Sequence, residues 1–72
     1  MNGIENFDDK INLLKSELEK SFDCVEYLKT QENITKKHFY NCDNRTIVVD
    51  NYNRVFELKN NKLVRLAAKI EV

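Results

Sequence analysis

The sequence predicts a single α+β domain over residues 1–72: an N-terminal amphipathic helix packed on a three- to four-stranded antiparallel β-meander. Apolar residues recur at helical spacing near the N-terminus, at Ile4, Phe7, Ile11, Leu14 and Leu18. From Thr46 onward, β-branched and alternating runs are separated by turns built on Asn. The length allows one thin core, because at about 60 residues a fold buries only roughly 60% of the surface its unfolded chain exposes.

The helix is the strongest of these signals. Asn6 is placed to cap it, and Asp8 and Asp9 occupy the first turn, where the helix dipole favours negative charge. Steps of three and four put the apolar positions on one face, Leu13 broadens the stripe, and charged residues cover the other side. The seam falters at Ser21, with Phe22 beside it and Val25 and Leu28 further on. An unbroken helix from Glu5 to Lys29 is about 37 Å long, against about 23 Å for a seven-residue strand. It therefore either overhangs the sheet or breaks near Ser21 to Asp23, where Asp23 and Glu26 resemble a capping box. Helix is the preferred state of Phe22 to Lys29, and strand is the alternative.

Ile34 to Tyr40 is a fourth strand if extended, and Cys42, Asp43 and Asn44 form a turn. Thr46 to Asp50 is rich in β-branched residues, and Asn51, Tyr52 and Asn53 turn the chain again. Arg54 to Lys59 alternates, with Val55, Glu57 and Lys59 on one face and Arg54, Phe56 and Leu58 on the other. Asn60 and Asn61 close a hairpin with Leu63 to Ala68, because Asn tolerates the positive φ of a primed turn. With no Pro and a single Gly in the chain, Asn has to do the turn work. Lys62 to Glu71 has a helical alternative, since Ala67, Ala68 and Lys69 favour helix. The expected core joins Phe7, Ile11, Leu14, Leu18 and Phe22 to Ile47, Val49, Phe56, Leu58, Leu63 and Leu66.

Twelve basic and twelve acidic residues cancel, so global charge draws the chain toward no particular partner. Its distribution is uneven. Residues 1–33 hold eight acids and four lysines, and residues 34–72 hold eight cations and four acids. The two halves either satisfy each other internally or steer a partner. No apolar leader and no long apolar run occurs, which points to a cytoplasmic location in a bacterial cell or phage host, with no membrane. Cys24 and Cys42 then stay reduced, and the sequons at Asn33 and Asn44 are chance matches. The Asn, Lys and Ile bias suggests an AT-rich genome such as that of a low-GC bacterium or its phages.

No constellation carries catalysis. His38, Cys42, Asp43 and Cys24 allow a zinc site to be drawn, but the paired ligand spacing of structural zinc is missing. A Cys-His nucleophilic pair would lack an oxyanion site, because the one glycine, Gly3, lies at the N-terminus. No phosphate loop, dinucleotide fingerprint or nucleophile elbow occurs. No cofactor, metal or catalytic residue is assigned.

The function expected is binding. In the first expectation the chain is a small protein-binding module, an accessory or inhibitor protein of a phage or mobile element that occupies a partner protein's surface. Its contact set is Glu17, Glu19, Asp23, Glu26, Tyr27 and Leu28, and helix pairing through Leu28 offers a homodimer as a second mode. The alternative is a nucleic-acid-binding protein using Lys36, Lys37, His38, Tyr40, Arg45, Tyr52, Arg54 and Arg65. That set lies either on a sheet or on a winged helix-turn-helix whose helices run over Asp23 to Gln31 and Ile34 to Asn41.

Overall fold

The computed structural model describes the backbone of residues 2–70 and the side chains of 9–68 and Ile70. Helix α1 (Asn2–Leu18) is followed by β1 (Val25–Glu32), β2 (Lys36–Cys42), β3 (Arg45–Asp50), β4 (Arg54–Lys59) and β5 (Lys62–Lys69). The strands form one antiparallel sheet in the order β1-β2-β3-β4-β5, a meander of five strands where three or four are expected from the sequence. Among the described residues no helix is long and apolar enough to cross a membrane.

The helix does not continue to Lys29. Its last turn tightens, with Ser21 N–H and Phe22 N–H both donating to Leu18 O and Lys20 N–H donating to Glu17 O. The next two amides are claimed elsewhere, since Asp43 accepts from Asp23 N–H at 3.0 Å and from Cys24 N–H at 2.8 Å. Val25 and Tyr27 then alternate as strand residues facing the helix, so the capping box at Asp23 is not formed and the seam through Leu28 does not exist. At the other end α1 begins at Asn2, so Asn6 lies inside the helix and does not cap it. The side chains of Ile4, Phe7 and Asp8 lie outside those described.

Turn chemistry follows the Asn-rich connections. Asp43 and Asn44 both take positive φ between β2 and β3, and Asn60 and Asn61 do so between β4 and β5, as a primed hairpin turn requires. Asn53 is the positive-φ residue of the β3–β4 connection. That connection is held by the buried Asp50 carboxylate, which accepts from the amides of Tyr52 and Arg54 and from Arg54 Nε.

Ile11, Leu14 and Leu18 pack toward one face of the sheet, and the core cluster joins Leu14 and Leu18 to Val25, Tyr40, Cys42, Ile47, Val49, Val55 and Ile70. Phe22, Tyr27 and Leu66 close its margin. Phe56, Leu58 and Leu63 are not part of this core. Ile47 pairs with Glu57 and Val49 with Val55, and that register puts Val55 and Glu57 toward the helix while Phe56 and Leu58 face away. Glu57 is tolerated there because Arg45 ion-pairs with it. Lys62 to Lys69 is strand, not helix, because its pairing with β4 outweighs the helix preference of Ala67 and Ala68.

Candidate functional site

The acidic contact set is dispersed by the fold. Glu17 stands on the last turn of α1 and Glu19 just past its end, ion-paired to Lys20 and Lys15 respectively. Asp23 lies in the connection to β1, and Glu26 faces the opposite side of the sheet from the helix. Tyr27 turns toward the core, where its ring meets Tyr40 edge-on at 5.6 Å, and its hydroxyl bonds with Thr30 at 2.6 Å. Leu28 is the extra residue of a bulge, since Tyr27 pairs with Tyr40 and Lys29 with the adjacent Phe39. Helix pairing through Leu28 loses its basis, because that residue is on a strand.

The basic set divides in two. His38 and Tyr40 are buried beneath α1 and are closed to a ligand. Tyr40 donates its hydroxyl to Ile11 O at 2.9 Å, and burial raises its pKa far above the phenol value, so it stays protonated. His38 Nδ1 bonds with Thr30 Oγ1 at 2.8 Å, and burial, reinforced by Lys10 and Lys36, lowers its pKa and favours the neutral ring. Arg45 is engaged by Glu57 on the helix side, and Lys36 lies 3.8 Å from Glu32. The winged helix-turn-helix is overturned outright, because its two proposed helices are β1 and β2.

Lys37, Arg54 and Arg65 do share a face, the one turned away from the helix. Residues paired across strands place Lys29, Gln31, Lys37, Phe39, Val48, Arg54, Phe56, Leu58, Leu63 and Arg65 on it. Lys29 Nζ lies 5.0 Å over the Phe39 ring, and the guanidinium groups of Arg54 and Arg65 stand 5.9 and 5.8 Å from that of Phe56. Tyr52, at the rim, is exposed beside Arg54.

The face is concave. A cleft of about 410 Å³ is lined by Lys29, Gln31, Lys37 and Phe39 of β1 and β2, and by Leu58 and Leu63 of β4 and β5, with Asn33 and Asn61 from the connecting turns. Such a lining requires the β4–β5 hairpin to curl toward β1 and β2, in keeping with the twist of antiparallel sheets. Val48 is fully buried on this side although no helix covers it. Lys29, Phe39, Phe56, Leu58 and Leu63 are missing from the sequence-based site, which depends on knowing that Phe22 to Lys29 enters a strand.

Titratable groups with displaced pKa values do not converge. Burial, aided by Asp43, pushes the Cys42 thiol up to about 11, so it is protonated and unreactive at neutral pH. Among the described residues no group of three His, Cys, Asp or Glu could hold a metal ion. Compared with known protein families, curated proteins and solved structures, the chain matches none.

Proposed function

We propose that the chain is a non-catalytic protein-binding module, an accessory or inhibitor protein of the kind phages and mobile elements encode, which acts by occupying a partner protein's surface. The concave sheet face supports this reading most directly. Leu63 is exposed there and Leu58 half-buried, flanked by Lys29 and Lys37, which among the described residues meet no carboxylate, a combination suited to a macromolecular contact. The acidic groups are committed to holding the fold: Asp43 clamps the helix exit, Asp50 a turn, and Glu57 a cross-strand ion pair.

A second reading, nucleic-acid binding, is favoured by Lys37, Tyr52, Arg54 and Arg65 lying on or beside one face. It is the weaker of the two. Arg54 is neutralised by Asp50, and the Phe39 and Phe56 rings already carry cations where bases would stack. A salt titration against random single-stranded and duplex oligonucleotides separates them. The protein-binding reading expects affinity weaker than micromolar at ~150 mM salt; tighter binding with a steep salt slope overturns it.

A further inference from the structure

We infer that the cleft on the helix-free face of the sheet is the contact site, and that its ligand is an acidic peptide segment of a partner protein bearing an apolar anchor. The inference rests on the protein-binding reading and gives it a place and a chemistry.

The cleft has an apolar lining and a basic edge. Leu58, half-buried, and Leu63, 39% exposed, supply the accessible apolar surface, and Phe39, 8% exposed, forms its floor. Its volume of about 410 Å³ falls within the usual range of roughly 300–1,000 Å³ for ligand pockets, enough for one or two apolar side chains. Ile34 follows Asn33 of the lining and is 100% exposed, at the tip of the β1–β2 connection.

Charge decides the partner's chemistry. Lys29 rests on Phe39, Lys37 donates to Thr35 Oγ1 at 2.8 Å, and Arg65 rests on Phe56, so among the described residues none of the three meets a carboxylate. The acids on this face leave that excess intact. Glu26 is lined up with Asn41, away from the Lys29 and Lys37 positions, and Asp50, opposite Lys37 across β2 and β3, is fully buried and bound to Arg54. Lys29 and Lys37 in the lining, with Arg65 on the same face, match carboxylates flanking an apolar side chain. They fall short of the roughly 6–10 phosphate contacts of a typical salt-sensitive DNA complex. Complementary charge then orients the segment, and the apolar anchor supplies the desolvated centre of the contact.

The test uses the full chain, ¹⁵N-labelled, titrated with a short synthetic peptide of Asp and Glu around a central Leu-Phe pair. The expected result is saturable shifts of the amides of Lys29, Gln31, Lys37, Phe39, Leu58 and Leu63. A peptide with Lys in place of the acids, or with Ala in place of Leu-Phe, should not produce them. Combining Lys29→Glu with Lys37→Glu should weaken binding roughly tenfold or more. Leu63→Asp, at an exposed position on an edge strand, should weaken it while leaving a dispersed amide spectrum. No saturable shift with the acidic peptide, or shifts outside the cleft, overturns the inference. If the basic peptide instead binds the acidic side of α1, the site is wrong and the protein-binding role stands. Tight, salt-steep binding of oligothymidylate overturns both.

Discussion

Arg45 reaches diagonally from β3 to Glu57 on β4, with Nη2 at 2.8 Å from Oε1 and Nε at 3.0 Å from Oε2, on the side of the sheet that faces the helix. The guanidinium also lies 5.4 Å from the Phe22 ring, beyond the helix exit. One arginine thus satisfies a buried carboxylate and covers an aromatic ring at the core's edge. Arg45→Met should lower the melting temperature more than the double change Arg45→Met with Glu57→Leu, because the single change removes both hydrogen bonds from a buried carboxylate and leaves it only Lys59, 3.8 Å away. The hydrogen bond from Arg45 holds the Glu57 carboxyl below its ordinary pKa. A depressed folded pKa stabilises above the unfolded value of about 4.3 and is lost as pH falls through the folded value. Thermal melts across the acid range should show Arg45→Met flattening that limb.

Tyr40 to Phe removes one hydroxyl at the interface of helix and sheet. The hydroxyl donates to the Ile11 carbonyl from a fully buried ring, so its loss should cost about 1 kcal/mol in urea unfolding. An unchanged midpoint would mean that the bond contributes nothing net.

His38 gives the fold a second pH response. Its pKa is lowered by burial first, then by Lys10 and Lys36, so the unfolded chain takes up a proton more readily than the folded one. The stabilisation is complete above the unfolded value of about 6.5 and declines as pH falls from there toward the folded pKa. Melting temperature should fall between neutral pH and about pH 5, and His38→Gln should remove that slope even if it lowers stability overall. A slope that survives the substitution assigns the response to another group.

The two asparagines between β4 and β5 predict opposite outcomes for two substitutions at one site. Asn61 has φ of 65°. Asn61→Gly should be neutral or stabilising, whereas Asn61→Val should cost roughly 1–2 kcal/mol, since a β-branched residue is penalised in the left-handed region. Chemical denaturation of both variants reads this directly. An equal effect from the two would show that the turn does not hold its positive φ in solution.

This turn was legible in the sequence, because Asn-Asn between two alternating runs leaves few conformations open. Ile11, Leu14 and Leu18 carried the strongest signal, a period that only a helix satisfies. Val25 and Leu28 misled, since their separation of three continues the heptad, while the alternation of Val25 and Tyr27 that signals a strand covers only two residues. The face of β4 was ambiguous for a different cause. Both sides of this sheet bury apolar surface, Val48 on one and Val49 on the other, so hydrophobic alternation carries no sign. Only the partner strand's register assigns Glu57 inward and Phe56 outward, and that is non-local information. The cleft inherits the same difficulty, because Lys29 and Lys37 come together only once β1 is known to be a strand.

The bulge at Leu28 reaches past this molecule. Since Lys29 already pairs with Phe39, deleting Leu28 would leave each following side chain on its present side and give β1 an uninterrupted edge. Such an edge is a template on which further chains can add and polymerise. The surplus residue interrupts the row of backbone groups along that edge and makes it a poor template for a further strand.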